Sequence, residues 1–304
     1  MTKIPRSVQG VRTQHAYWIL AMCLILLSRS ALLGAEQTTA DKAWAILDAG
    51  VHDAKPDKRS LAVSALGLMP GDNKATEMAD RALQDTDPDV RRAAITALAD
   101  MDAKSALPKI KDLINSADGK TILVIAAALK KFNDPEAYDI YYQILTGKRQ
   151  SGGSIFAGVK DRKAMEAMGV QTAIGFIPFS GVGTGAYNYF RKNSAAQSSI
   201  NVLAVSALAE DPDRDPSIGK ALVQSAFNDK DVVQVAALVA LAKRGDPSVV
   251  NDIEPAMSSG KPAISQTAAA TILHLLDVRA KQLVEAKAPV KSTHKPTRHK
   301  TGPK

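Results

Sequence analysis

The side chains that could do chemistry in this chain are few, and none stands in a recognisable catalytic motif. Of the five histidines, only His52 and His274 lie away from the ends of the chain. His274 falls inside an apolar helical run and His52 follows another, so both are predicted to serve the structure. No HExxH, GxSxG or GxxxxGK[ST] motif occurs. We therefore predict no catalytic residue and no enzymatic activity.

Two groups of aspartates have the one-three-five spacing of a calcium loop. They are Asp85, Asp87 and Asp89, and Asp211, Asp213 and Asp215. Both groups lack the glycine at position six and the glutamate at position twelve of such a loop. Each precedes a helical period, where aspartates cap backbone N–H groups. We predict helix caps and no metal site.

A glycine run at residues 181–185 could be imagined as a phosphate cradle. It has neither the GxGxxG spacing nor a preceding strand, so we predict a flexible hairpin tip there and no cofactor.

The element that positions the first group of aspartates is a capped helix at residues 87–101. Asp87 suits the N-cap and Pro88 suits the first helical position. Apolar residues at 90, 94, 97, 98 and 101 share one side of this helix, which predicts Leu98 in the core and Arg92 on the exposed polar face. A second helix, predicted from 103 to 115, completes a helix pair.

The same pair returns along the chain. Residues Pro56–Met69 match Pro88–Met101 at an offset of 32, and Leu61–Leu66 recurs letter for letter at Leu203–Leu208. Three further copies are marked by Leu129, Leu241 and Leu273. A period of 31 to 33 residues built from capped helix pairs is typical of an α-solenoid. We predict an all-α fold of about six helix pairs.

The sequence DPDVRRAAITALADM at 87–101 resembles a HEAT repeat of the short, phycobilisome-lyase type. The resemblance covers roughly Asp41 to Ala286, although Asn201 and Gln234 replace the arginine of the best copies. It implies a right-handed α–α superhelix that mediates protein contacts far more often than it catalyses. A lyase-like enzyme is an alternative that rests on the resemblance alone.

The two ends of the chain differ from the repeats in composition. Residues 1–35 run from basic through apolar to small residues, which is typical of a secretory signal peptide cleaved near Ala35; a retained anchor helix is the alternative. The only cysteine, Cys23, would leave with that segment. The signal-like segment predicts export to the periplasm or the cell exterior. Residues 289–304 form a basic tail that we expect to be disordered.

Charge argues against a nucleic-acid-binding superhelix. Of the net charge of +8, residues 1–35 carry +4 and those after Val278 carry +7, which leaves −3 for residues 36–278. A nucleic-acid-binding solenoid needs a basic stripe along its repeats. We predict no specific nucleic-acid partner.

An insertion breaks the period between two arrays of repeats, residues 36–147 and 198–288. Residues 148–197 form this insertion or diverged repeat, and the window 147–197 holds nine of the 19 glycines and six of the aromatic residues. Aromatic anchors supply most of the binding energy at interfaces. The predicted partner-binding residues are Phe176, Phe179, Tyr187, Tyr189 and Phe190.

Two functions remain open at this point. The first is an exported, non-enzymatic scaffold that binds another protein. The second is an envelope- or membrane-associated adaptor, in which the uncharged stretch 167–190 dips into lipid as a hairpin and the basic tail touches an anionic polymer. The identity of the partner and the oligomeric state stay open in both.

Overall fold

The computed structural model describes residues 39–145, 196–209 and 215–287, and within them the chain forms twelve α-helices and no strand. The helices are α1 (residues 39–51), α2 Pro56–Leu66, α3 Asn73–Ala82, α4 Pro88–Asp100, α5 Leu107–Asp112, α6 Gly119–Lys131, α7 Glu136–Leu145, α8 Ala196–Ala209, α9 Pro216–Ser225, α10 Asp231–Arg244, α11 Val250–Ile253 and α12 Pro262–Lys287. Short 3-10 turns flank α5 at Lys104–Ala106 and Leu113–Asn115, and α11 at Pro247–Val249 and Glu254–Ser258. In place of the single helix predicted from 103 to 115, the chain forms a short α-helix with a 3-10 turn on each side.

Aspartate side chains cap α4, α9 and the 3-10 turn before α11. Asp87 accepts a hydrogen bond from the backbone N–H of Asp89 at 2.8 Å, and Asp215 accepts one from Ser217 at 2.7 Å. Asp246 does the same for Ser248 at 2.9 Å. The predicted caps are thus confirmed for Asp87 and Asp215, whereas Asp85 accepts from Arg59 and Asp89 pairs with Arg92. Asp211 and Asp213 lie outside the described residues.

The core is a ribbon of apolar side chains between the helix pairs. Five of the leucines that mark the repeat in the sequence are buried, and Leu208 is partly buried: the five are Leu66, Leu98, Leu129, Leu241 and Leu273. Alanine is the commonest residue of this core, and its small side chain allows neighbouring helices to approach closely. The all-α solenoid predicted from the repeat period is confirmed.

The order of the stack differs from the order of the chain. Helices α2, α4 and α6 pack in sequence, and so do α8, α10 and α12. The last helix, α12, then packs against α2, so the C-terminal repeats precede the N-terminal ones in the stack. Among the described helices, α7 and α8 consequently lie at opposite ends of the stack, with α7 packed on α6 and α8 on α10.

The junction between the two arrays is tight. Thr39 of α1 donates a hydrogen bond to the carboxylate of Glu254 at 3.2 Å, across 215 residues of sequence. Gly50, near the end of α1, lies where a Cβ would come within 2.7 Å of the Ala62 methyl group and would also meet the amide of Gln266. Only glycine fits this close approach of α1, α2 and α12 without a shift of the neighbours.

Candidate protein-interaction surface

In α2, α4 and α10, a polar side chain at the fourth helical position donates to the turn before the helix. Arg59 donates to the backbone carbonyls of Asp53 and Ala54 at 3.0 and 3.2 Å. Arg91, the equivalent residue one repeat later, donates to the carbonyls at 85 and 86. Gln234, which departs from the arginine pattern, still donates to the carbonyl of Asn228. The contact therefore survives the change of residue type.

Arg92 is not on an exposed face, contrary to the prediction. Its side chain is buried, with 8 % of the residue exposed. The guanidinium forms ion pairs with Asp89 and with Asp118 of the next repeat, and it donates to the Thr121 hydroxyl at 3.1 Å. Because the start of α6 packs over α4, the polar side of α4 is also covered, and its arginine bridges two repeats.

Asp100, the last residue of α4, is a buried carboxylate. Its Oδ1 forms an ion pair with Lys131, while no described donor reaches its Oδ2. Burial raises the pKa of Asp100 to about 6, against the opposing effect of Lys131 and Lys243. The ion pair joins the last residue of α4 to the last residue of α6.

The two internal histidines have structural surroundings, as predicted. The Nδ1 atom of His52 lies 2.8 Å from the carbonyl oxygen of Asp48, in the last turn of α1. His274 is half-buried in α12, and burial lowers its pKa. Among the described residues, no group of three or more histidine, cysteine, aspartate or glutamate side chains could hold a metal ion.

The described surface exposes a few large apolar side chains. They are Tyr138, Tyr142, Phe227, Leu283 and Val284. Tyr138 and Tyr142 are 64 % and 58 % exposed, and their spacing of four residues places them side by side on one face of α7. Sequence reasoning missed this pair because the glycine- and aromatic-rich insertion drew the prediction away from it. The sequence does indicate the pair, because the two tyrosines stand at helical spacing in a segment whose other face is apolar.

Helix α7 presents these tyrosines from a fixed position. Its opposite face buries Ala137 and Ile140 against α6. At its start, Lys111 forms ion pairs with Asp134 at 2.6 Å and Glu136 at 3.2 Å. The hydrogen bond from Lys111 lowers the pKa of Asp134, so that carboxylate stays ionised at neutral pH. The helix is thereby clamped to the preceding repeat.

The predicted partner-binding residues Phe176, Phe179, Tyr187, Tyr189 and Phe190 lie outside the described residues. So do the stretch 167–190, the segment 1–35 and the tail 289–304. Within the described part of the chain, no helix combines the length and the apolar character needed to cross a membrane.

The geometry defines an α-solenoid of stacked helix pairs, held together by capping aspartates and inter-repeat ion pairs. Residues 45–130 and 83–149 match the family model of HEAT repeats. The repeats within residues 45–149 are therefore HEAT repeats, which generally mediate protein–protein interaction. The finer assignment to the phycobilisome-lyase type stays a prediction. None of the curated proteins compared with the chain matches it.

Proposed function

We propose that this protein is an exported, non-enzymatic scaffold that binds another protein. The observation that carries the proposal is the exposed pair Tyr138 and Tyr142 on a helix clamped to the HEAT stack. Aromatic side chains fixed before binding lose little conformational entropy on association, so they serve well as anchors. The family supports the scaffold role, because HEAT repeats generally act through protein contacts.

The insertion is the second part of the proposed surface. It lies between α7 and α8 in the sequence and carries most of its aromatic residues in its second half. We include Phe176, Phe179, Tyr187, Tyr189 and Phe190 among the proposed partner-binding residues. The competing adaptor function would use the uncharged stretch 167–190 against lipid, and the experiment below separates the two.

Export is the second part of the proposal. Its support is the order of basic, apolar and small residues in positions 1–35. Mass spectrometry of the protein purified from its native cell should find a mature chain beginning at or near Glu36. A dominant species in the cytoplasm that still begins at Met1 would refute export.

The binding function is tested by capture of partners from an envelope extract. The double variant Tyr138→Ser/Tyr142→Ser should lose most of the captured partner, since removal of each aromatic anchor typically weakens binding about tenfold or more. Phe227→Ser is the matched control, because Phe227 is also an exposed aromatic residue but lies in the turn after α9.

Adsorption to anionic liposomes, measured beside partner capture, distinguishes a lipid-binding adaptor from the scaffold. Phe176→Leu/Phe179→Leu changes shape and keeps most apolar area, so it should reduce protein capture and leave adsorption to anionic liposomes unchanged. Liposome binding by the wild type that survives 1 M salt, together with unchanged protein capture by the tyrosine double variant, would overturn the scaffold proposal.

A further inference from the structure

One side of α6 is left open in the part of the chain that the structure describes. The inner helices α2, α4, α6, α10 and α12 can be compared when each is numbered from its first residue. Positions five, six and nine lie on one side of such a helix, the side toward the next helix of the stack. Arg92 shows the direction, because it holds position five of α4 and donates a hydrogen bond to Thr121 of α6. Burial at these positions therefore reports whether a neighbouring helix covers that side.

In four of the five helices this side is covered. It is covered by α4 on α2, by α6 on α4, by α12 on α10 and by α2 on α12. Positions five and six are buried in all four helices, and position nine is buried in three and half-buried in α4. In α6 the same positions hold Leu123 and Val124, which are half-buried, and Ala127, which is exposed. Helix α6 thus leaves partly open a side that its counterparts pack against another helix.

The open side of α6 has the composition of an interface between repeats. Its three side chains are aliphatic, and Val124 packs against the apolar core. The end repeat of a solenoid normally carries a polar outer face, since it has no further neighbour that could bury an apolar one. Because the four equivalent sides in this chain are covered by helices, the open side fits a helix whose axis lies about 8–10 Å from that of α6.

Charge indicates how such a helix begins. At the interface of α2 with α4, Arg59 donates to Asp85 in the turn before α4. At the next interface, Arg92 donates to Asp118, the N-cap of α6. The cation at the start of α6 is Lys120, which is exposed, and α6 contains no acidic residue. By the same pairing, a helix docked on α6 has an acidic residue in its first turn, where the helix dipole also favours a negative charge.

Two occupants from the chain itself do not fit this charge. The insertion at residues 148–197 contains seven basic and two acidic residues, so it would bring a net positive charge toward Lys120. A second copy stacked end to end would present its α8, which contains no charged residue. The charge therefore favours a helix of another protein.

We propose that the side of α6 formed by Leu123, Val124 and Ala127 docks an amphipathic helix of the partner protein, which lies there as one further helix of the stack. The docked helix packs small and aliphatic side chains against these three residues. It begins with an aspartate or glutamate that pairs with Lys120. This inference rests on the proposed scaffold function and specifies the structure of one part of the partner.

The test is fluorescence polarisation of the full chain with labelled helical peptides at physiological salt. The probe is a stapled peptide of alanine and leucine that begins with two aspartates. One comparison peptide begins with two lysines, and another has serine in place of leucine. The wild type should bind the aspartate–leucine peptide most tightly, with the lysine peptide about threefold or more weaker. Absence of saturable binding of the aspartate–leucine peptide would overturn the inference.

A substitution at the centre of the open side assigns the binding to α6. Ala127→Glu places a longer, charged side chain where the docked helix would bury it, and should weaken peptide binding about tenfold or more. The residue is exposed, so thermal melting of the variant should match that of the wild type. Ala221→Glu is the matched control, because it makes the same change at an exposed alanine of α9. Equal losses in the two variants would reject the α6 site.

Reversal of one charge tests the acidic start of the docked helix. Lys120→Glu should weaken binding of the aspartate–leucine peptide and strengthen binding of the peptide that begins with lysines. The change lies in the exposed first turn of α6, where an acidic residue suits the helix dipole, so folding should be unaffected. A variant that still prefers the aspartate–leucine peptide to the same degree would refute the pairing with Lys120.

The other possible occupants give different results. If the insertion covers α6, Ala127→Glu should lower the melting temperature and the wild type should not bind the peptide. If a second copy covers it, sedimentation velocity should show self-association of the wild type that Ala127→Glu abolishes. Complete competition of the peptide by phosphatidylglycerol vesicles would assign the side to lipid. Each of these results would overturn the proposal.

The outcome is separable from that of the scaffold proposal. Partner capture lost in the tyrosine double variant and retained in Ala127→Glu would keep the scaffold and reject the helix-docking side of α6. Capture retained by the tyrosine double variant and lost in Ala127→Glu, together with peptide binding, would support the α6 site and reject the tyrosine surface.

Discussion

Both carboxylate oxygens of Asp85 accept hydrogen bonds of 2.8 Å from the guanidinium of Arg59, 26 residues earlier in the chain. Each partner is largely buried, and the pair joins α2, the first helix of one repeat, to the turn between α3 and α4. Arg92 and Asp118 are also 26 residues apart, and Arg92 donates one hydrogen bond of 3.3 Å to that carboxylate. Arginine–aspartate ion pairs thus join the repeats at two successive interfaces.

Loss of the Arg59–Asp85 pair should destabilise the fold in a pH-dependent way. Hydrogen bonds from Arg59 lower the pKa of Asp85, so its contribution is present above the ordinary carboxyl pKa and is lost as the pH falls through the lowered value. Asp85→Asn should cost about 1–3 kcal/mol at pH 7 and less below about pH 4. Urea titrations at both pH values, with the exposed Asp229→Asn as control, measure this; a cost independent of pH would contradict it.

Leu98 and Arg92, on two sides of α4, should both matter to stability. Leu98→Ala leaves a cavity in the core and should cost about 2–5 kcal/mol. Arg92→Ala leaves Asp118 and Thr121 without their buried donor and should cost about 1–3 kcal/mol. The exposed Arg81→Ala, by contrast, should stay within about 0.5 kcal/mol. Denaturant midpoints rank the three variants, and an Arg92→Ala value equal to that of Arg81→Ala would show that the inter-repeat bridge contributes nothing.

The contrast between Leu98 and Arg92 shows what local patterns can predict. Helical spacing identifies the side of α4 that carries Leu98, and the Asp-Pro start identifies its cap, because both depend on residues within a few positions. Arg92 is buried by a helix that lies about thirty residues away in sequence. Amphipathic spacing assigns a polar residue to solvent, although in a stack each inner helix has neighbours on two sides.

The stacking order could not be predicted for a related reason. Similar repeats offer similar faces, so the sequence does not say which repeat packs on which neighbour. Several repeats could pack on one another in the same way, and the chain uses the contact between α12 and α2. In the sequence, this contact is reflected locally by Gly50, which places no side chain at the junction. Glycine is common near helix ends, so this residue alone does not identify the junction.

Gly50 provides a test of this order. In Gly50→Val the new side chain would meet Ala62 and Gln266, so the α1–α2–α12 junction should be destabilised by about 1–3 kcal/mol. Gly260→Ala is the control, because nothing lies within 4 Å of a Cβ added there. Hydrogen exchange should show faster exchange in α2 and α12 together. Faster exchange in α2 alone would indicate that the two arrays are not joined at this point.

Ionisation of the buried Asp100 carboxyl should lower the free energy of unfolding as the pH rises. Its folded pKa, raised by burial to about 6, lies above the unfolded value, so the stability linked to this carboxyl is complete below about pH 4 and is lost as the pH passes 6. Asp100→Asn removes the buried charge, and Lys131 is sufficiently exposed to remain hydrated without its partner.

The variant should therefore be more stable than the wild type at pH 8, by on the order of 1–2 kcal/mol, and should lose that advantage at pH 4.5. Asp102→Asn, two residues later and exposed, is the matched control and should show no such crossing. Urea unfolding at the two pH values decides the matter. An Asp100→Asn variant that is less stable at pH 8 would mean that the ion pair with Lys131 outweighs the cost of burying the carboxylate.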